Sequence, residues 1–292
     1  MSIQILVSKQ NGDGGWPYVR GGSWTEPTVY AVMALLAAGE GGPARRGLAW
    51  IMRAQRSDGG WPPRPGVDQS TWVTALVAML PAAELGEKAH ARAIGWLLGL
   101  TGKESTTVYR IRQWMLGIRR PSDQQSPGWP WVPGTAAWVG PTSLAMMALE
   151  KEIRAHPSGA IAQRLDAGRR FLLSRMCFGG GWNHGSARPL GYESNAYPET
   201  TGMALAALRG VKSPEITQSI AVARRFLEAA RSADALNWLQ LGLEAHGALP
   251  PGFSRPAEIE PRTLSELSLA MIVSEPRNLL WVRRYAKTDF QA

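Results

Sequence analysis

A Gly-Gly-Trp-Pro stretch that occurs twice constrains the fold more than any other feature of the chain. Residues 13–17 and 58–62 both read Asp-Gly-Gly-Trp-Pro, and each copy has a glutamine six residues before its tryptophan. Two weaker copies lie around Trp129 and Trp182. An apolar segment precedes each copy, and a second apolar segment follows it. Helix-pair repeats of roughly 35 to 60 residues indicate a closed ring or a solenoid, because each pair buries its apolar face only against its neighbours.

The repeat runs through the whole chain, which predicts a single domain over residues 1–292. The one cysteine, Cys177, excludes an intrachain disulfide and a cysteine-based zinc site, so we expect no metal and no cofactor. No stretch resembles a signal peptide or a membrane-spanning helix, and we expect a cytoplasmic protein. The net charge of +9 is spread over arginine pairs, which is typical of solvated helix faces. Peripheral contact with an anionic membrane surface is the second interpretation, and no nucleic-acid-binding motif is present.

Helices with few charges alternate with amphipathic helices along the chain. A helix that is apolar on all sides must be buried all round, so the first kind is predicted to form an inner ring and the second kind an outer one. No strand pattern competes with this interpretation. The sequence therefore predicts an all-α protein with the (α/α)6 toroid fold. The predicted inner helices are 28–38, 70–80, 105–117, 143–153, 201–208 and 263–272, with a further helix at 234–246 and a closing segment at 278–285.

At the repeated stretches the chain resembles the prenyltransferase and squalene-cyclase repeat superfamily. Residues 10–16 and 55–61 are similar to that family's glutamine-tryptophan motif, which ties the end of an outer helix to the loop before the next inner helix. The resemblance implies a toroid like that of squalene-hopene cyclase or of the β subunit of protein prenyltransferases. It also implies an isoprenoid or another hydrophobic small molecule as the ligand, and an isomerase activity of the class II terpene cyclase type.

The chain departs from the family at the catalytic motifs. Class II terpene cyclases carry an Asp-x-Asp-Asp motif whose acids supply a proton. The most similar stretch here is Gly66-Val67-Asp68-Gln69, in which Asp68 stands at the position of the proton donor and the other two acids are missing. The Asp-x-Cys pair of zinc-dependent prenyltransferases is also missing, since Arg175 precedes Cys177 by two residues. The resemblance leaves catalytic activity open and makes Asp68 the best candidate acid.

Other acids stand at the starts of the predicted inner helices. Glu26 and Glu199 precede a threonine by two residues, and Glu266 takes a position where three other repeats have alanine. Carboxylates that lie close together raise one another's pKa, so that one keeps its proton and acts as an acid. The alternative is that each acid only caps its helix, or that Glu266 pairs with an arginine such as Arg110 or Arg112.

Aromatic residues stand near the same helix starts, where their ring faces would stabilise a carbocation. Core packing is the alternative for each of them. The predicted substrate-binding residues are Trp24, Trp72, Trp138, Tyr192, Tyr197 and His184.

Three functions remain open from the sequence. The first is a terpene-cyclase-like protein that binds a prenyl or polyprenyl chain in an aromatic cavity and cyclises it by protonation. The second is a non-catalytic toroid that binds lipid or a partner protein. The third is a carbohydrate-active toroid with paired carboxylates across a tryptophan-lined cleft.

Overall fold

A computed structural model describes residues 3–116, 126–185, 193–275 and 280 of the chain. Thirteen α-helices lie within these ranges, and a 3₁₀ turn spans Lys103–Ser105. The predicted closing segment lies outside the described residues except for Leu280. The helices are α1 Ile3–Ser8, α2 Thr25–Ala37, α3 Gly41–Arg53, α4 Val73–Ala78, α5 Ala82–Leu85, α6 Glu87–Gly99, α7 Thr107–Met115, α8 Val139–Ala155, α9 Gly159–Ser174, α10 Pro198–Ala207, α11 Pro214–Ala229, α12 Ala233–Ala245 and α13 Leu264–Ser274.

Six of the described helices form a closed inner ring. The order around the ring is α2, α4, α8, α10, α12 and α13, and α13 packs against α2 to close it. Helices α3, α6, α9 and α11 pack on the outside against these inner helices. Within the described ranges, β pairing is limited to isolated bridges such as the one between Trp16 and Trp24. The predicted all-α toroid is confirmed.

The repeat tryptophans explain why the sequence folds into helix pairs. The indole N–H of Trp16 donates to the carbonyl of Leu6 at the preceding helix (2.7 Å), and its backbone N–H donates to the Thr28 hydroxyl of the following helix (2.9 Å). Each repeat tryptophan is fully buried and therefore connects an outer helix to the next inner helix. The equivalent indole bonds are Trp61 to Ile51 (2.7 Å), Trp129 to Leu97 (2.8 Å) and Trp182 to Leu172 (2.7 Å).

The second inner helix begins later than predicted. The backbone N–H of Trp61 donates to Thr74 (2.9 Å), so Thr74 is the counterpart of Thr28. Ser70 instead donates to Asp58 (2.7 Å), as an equivalent serine does in the first repeat. Helix α4 therefore starts at Val73, and the prediction that Asp68 opens this helix was wrong.

Helix α12, rather than the predicted helix at 105–117, completes the set of six inner helices. The prediction that residues 105–117 form an inner helix was wrong, because α7 lies beside the 3₁₀ turn and outside the ring.

Two glycines let α12 pack on α10 backbone to backbone. A Cβ atom on Gly202 would lie 2.3 Å from the carbonyl carbon of Trp238, and one on Gly242 would lie 2.5 Å from the oxygen of Gly202. Any larger residue at either position would force the two helices apart.

Each tryptophan loop also bonds to a neighbouring inner helix. The residue two positions after the tryptophan offers its carbonyl to a backbone N–H at the start of that helix, so the loops and helix starts gather at one end of the ring. We call this end the mouth. The four bonds are Leu264 N to Tyr18 O (2.7 Å), Thr25 N to Pro63 O (2.9 Å), Trp72 N to Trp131 O (3.0 Å) and Val139 N to His184 O (2.9 Å).

A small cavity lies near the carboxyl ends of α8 and α10, away from the mouth. This cavity of about 20 Å³ between Met147, Lys151 and Ala207 would hold little more than one water molecule. In the part of the chain that the structure describes, no helix is both long and apolar enough to cross a bilayer.

Candidate functional site

Four carboxylic acids lie in the first turns of four inner helices that are consecutive around the ring. Glu199 belongs to α10, Asp234 to α12, Glu266 to α13 and Glu26 to α2. All four side chains keep part of their surface accessible, as expected for groups that line an opening. We call these four residues the acidic arc of the mouth.

Hydrogen bonds differ among the members of the acidic arc. The Tyr18 hydroxyl donates to Glu26, and the indole of Trp238 donates to Asp234. Glu266 accepts the backbone N–H of Arg262 (2.7 Å) while its own N–H donates to the Thr263 hydroxyl (3.1 Å), so its carboxylate caps α13. Among the described residues, Glu199 has no hydrogen-bond or ion-pair partner, and the six ion pairs include none of the four acids.

Burial favours the protonated forms of two of these acids, Asp234 and Glu26. Burial, aided by the charges of Glu199, Glu26 and Glu266, raises the pKa of Asp234 to about 7. Burial also raises the pKa of Glu26, although the hydrogen bond from Tyr18 acts in the opposite direction. No group of three His, Cys, Asp or Glu side chains among the described residues is arranged to hold a metal ion.

Asp234 is the member of the arc that sequence reasoning did not single out. Its helix follows Ser232, which caps α12 by accepting the N–H of Ala235 (3.1 Å), and no Gly-Gly-Trp loop precedes it. Its position in the helix could have identified it, because Asp234 is the second residue of α12, as Glu26 and Glu199 are of α2 and α10.

Aromatic side chains take the other half of the mouth. The first turns of α4 and α8 contain no acid. Trp72, immediately before α4, packs edge-on against Trp131 with the ring centroids 5.0 Å apart. Trp138, immediately before α8, is 39% exposed. We call Trp72, Trp131 and Trp138 the aromatic arc, and it lies opposite the acidic arc because α4 and α8 complete the ring.

An open cavity of about 430 Å³ adjoins the aromatic arc at the mouth. Three predicted substrate-binding residues line it: Trp138, His184 and Tyr197, the last two with ring centroids 5.2 Å apart. The cations Lys103 and Arg175 line it as well. Among the described residues that line it, Glu104 is the acid, and its carboxylate accepts the backbone N–H of Ala137 (3.0 Å). The described lining therefore combines aromatic side chains with two cations and one acid.

The remaining predicted site residues lie elsewhere. Trp24 packs against Tyr18 with the ring planes tilted and the centroids 5.5 Å apart, and Arg64 lies over the Trp24 ring. Since Tyr18 bonds to Glu26, Trp24 borders the acidic arc. The side chain of Asp68 is 95% exposed and pairs with Arg56, which places it outside the acidic arc. Its role as an acid stays a prediction. Tyr192 lies outside the described residues.

Comparisons with known proteins agree with this architecture. No protein-family model matches the chain. A drimenyl diphosphate synthase from Streptomyces showdoensis is 44% identical over 72 residues, which are 22% of this chain and only 13% of that synthase. The type II terpene cyclase MstE from Scytonema superposes with a TM-score of 0.54 at 18% identity, over 96% of this chain and 78% of that one. The chain therefore resembles a type II terpene cyclase in its fold.

The same helical ring occurs in glycoside hydrolases. A GH8 endo-β-1,4-glucanase from an Achatina fulica gut metagenomic library superposes with a TM-score of 0.60 at 13% identity, over 94% of this chain and 97% of that one. The endo-β-1,4-glucanase CMCax from Acetobacter xylinum gives a TM-score of 0.59 at 14% identity, over 95% of this chain and 97% of that one. At this level of identity the likenesses establish the α/α-toroid fold alone.

Proposed function

We propose that the protein is a terpene-cyclase-like enzyme that binds an isoprenoid chain at the mouth of the ring and starts its cyclisation by protonation. The observation that carries this proposal is the division of the mouth. Four acids without an ionic partner among the described residues lie on one side, and three tryptophans lie on the other. A carbocation needs an acid to form it and ring faces to stabilise it, and this arrangement supplies both.

Asp234 is the proposed proton donor. A pKa of about 7 keeps much of it protonated at neutral pH, while the carboxylic O–H remains polarised enough to transfer the proton. In this step the O–H bond of Asp234 breaks, a C–H bond forms at one alkene carbon, and the other carbon becomes cationic. Neighbouring double bonds then close rings through their π electrons. Loss of a proton from the final cation to a carboxylate such as Glu199 restores an alkene, so the net reaction is an isomerisation.

The cavity beside the aromatic arc is the proposed site of the substrate's polar head. Lys103 and Arg175 supply positive charge, and Tyr197 stands two residues before Glu199 on the same helix start. A head group with negative charge, such as a diphosphate or a carboxylate, would hold one end of the chain there while the apolar tail reaches the acidic arc. The likeness to a synthase of drimenyl diphosphate supports a phosphorylated substrate.

Deuterium incorporation tests the reaction directly. The purified protein is incubated in D₂O with farnesyl diphosphate, geranylgeranyl diphosphate or squalene, and the products are analysed by mass spectrometry. We expect a cyclised isomer that carries a single solvent deuteron, because the proton added to the alkene comes from an exchangeable carboxyl group. Conversion without deuterium would exclude protonation as the initiating step.

Three variants locate the acid. Asp234→Asn should lower turnover by about a hundredfold or more, the usual contribution of a general acid. Glu228→Gln, an exposed change on α11, is the matched control and should retain turnover. If Asp68→Asn abolishes turnover and Asp234→Asn does not, the acid role belongs to Asp68 and the proposed mechanism must be abandoned.

Hydrolysis of a β-1,4-glucan is the second candidate function. The specific observation in its favour is that Glu26, with a raised pKa, and Glu199, which has no partner among the described residues, stand at a mouth that also bears exposed tryptophan. Glycosidases need one protonated and one ionised carboxyl group, and sugars stack on tryptophan. Release of reducing ends from cellulose oligosaccharides, together with no conversion of any isoprenoid, would favour this function.

A further inference from the structure

Helix α7 exposes the largest run of apolar side chains in the described part of the chain. Val108 is 79% exposed, Trp114 is 80% exposed and Met115 is 68% exposed. Ile111 and Leu116 are also exposed by more than half. Five neighbouring large apolar side chains in water are unusual for a surface that contacts nothing, and such a patch marks an interaction site.

The apolar side chains of α7 share one side of the helix. With about 3.6 residues per turn, Val108, Ile111 and Met115 fall on one stripe, and Trp114 falls next to it. Tyr109 falls on the other side, and it lines the cavity at the mouth. The helix therefore has one face towards the cavity and an apolar face towards solvent.

The charge on α7 indicates which kind of surface covers this face. The nine residues Thr107–Met115 include two arginines and no acid. The 3₁₀ turn before them contains the exposed Lys103 and one acid, Glu104, which accepts the backbone N–H of Ala137. A helix with tryptophan on its apolar face and basic residues beside it lies in the plane of a membrane, where the apolar face enters the lipid and the cations meet anionic head groups. The apolar and basic side chains of α7 are therefore complementary to an anionic lipid surface.

We propose that α7 docks the protein on anionic membranes, with Val108, Ile111 and Trp114 inserted at the interface and Arg112 at the head groups. Because Tyr109 of the same helix lines the cavity, docking places the cavity opening next to the lipid phase. An apolar ligand would then pass from the membrane to the mouth without crossing water. Docking itself does not depend on the proposed cyclase activity.

Vesicle co-sedimentation tests the docking. The full chain is mixed with vesicles of phosphatidylcholine alone or of equal parts phosphatidylcholine and phosphatidylglycerol. We expect binding to the vesicles that contain phosphatidylglycerol. Binding should weaken at least about tenfold when Val108, Ile111 and Trp114 are all changed to serine, since each apolar side chain contributes to insertion. Arg112→Gln should weaken binding only to the anionic vesicles.

The control is Phe178→Ser, which removes an apolar side chain that is 78% exposed in a loop outside α7. It should leave vesicle binding unchanged. Hydrogen exchange on the wild-type chain gives a second readout, because the amides of α7 should exchange more slowly when vesicles are present. Equal sedimentation of wild type and the triple variant would overturn the proposal. The proposal would also be overturned if the wild-type protein bound neither kind of vesicle and self-associated through α7. In that case this face would be an interface between two copies.

Discussion

Replacing Asp234 by asparagine should stabilise the protein at alkaline pH and have little effect under acidic conditions. The pKa of Asp234 is about 7 in the folded chain against an ordinary value of 3.8, so the folded state binds the proton more tightly than the unfolded state. This group therefore contributes stability that is complete below about pH 4 and is lost as the pH rises through 7. Asparagine has no proton to lose and keeps the same shape.

The expected magnitude follows from the pKa difference. A difference of about three pH units at about 1.4 kcal/mol per unit gives a ceiling near 4 kcal/mol above pH 8. Asp234 is partly accessible and its neighbours can take up protons in its place, which lowers the expected gain to about 1–3 kcal/mol. At about 2–4 °C per kcal/mol, Asp234→Asn should melt several degrees higher than wild type at pH 8.

Urea denaturation followed by circular dichroism at pH 5 and pH 8 measures the difference. Glu228→Gln is the control, because Glu228 is exposed on α11 and its change should alter the free energy of unfolding by less than about 0.5 kcal/mol at both pH values. A gain for Asp234→Asn that is the same at pH 5 and pH 8 would refute carboxyl repulsion as its cause. A loss of stability at pH 8 would show that the ionised form is the favoured one.

Three further predictions follow from contacts described above. Trp16→Ala and Trp61→Ala should each lower the free energy of unfolding by roughly 3 kcal/mol in urea denaturation, and unchanged midpoints would contradict their anchoring role. Gly202→Ala should lower it by about 1–3 kcal/mol or more because its Cβ would overlap α12, whereas Gly95→Ala, with open space around it, should raise it by up to about 1 kcal/mol. Glu199→Gln should lower the pKa of Asp234 in a carboxyl NMR titration, since Glu199 is the leading neighbouring charge, and an unmoved midpoint would place the two groups too far apart to interact.

The repeat tryptophans made the fold predictable because most of their bonds are local in sequence. Trp16 and Trp61 bond to residues within about a dozen positions on either side. Trp129 is an exception, since its indole partner Leu97 lies 32 residues earlier. The place of α12 in the ring was not predictable in this way. It depends on Gly202 and Gly242 meeting across two helices, and a glycine shows its close contact only once its partner is known.

In the candidate site, too, some residues were predictable from the sequence and others were not. Glu26 and Glu199 stand in regular repeats, and spacing from a threonine identified their positions. Asp68 was misplaced because Ser70, two residues after it, is not the counterpart of Thr28. Ser70 donates to Asp58 as Ser23 donates to Asp13, and the counterpart of Thr28 is Thr74. Asp234 was missed because no tryptophan loop precedes its helix.

The hydrogen bond from Leu264 to Tyr18 joins the last inner helix to the first repeat loop. In a linear repeat protein the terminal unit has one neighbour and can open while the rest stays folded. In this ring every inner helix has two neighbours, so opening any of them exposes the apolar faces of both. Unfolding is therefore expected to proceed for the ring as a whole. The number of inner helices is also difficult to change by adding or losing a single repeat, because either event would leave the last helix at the wrong distance from the first.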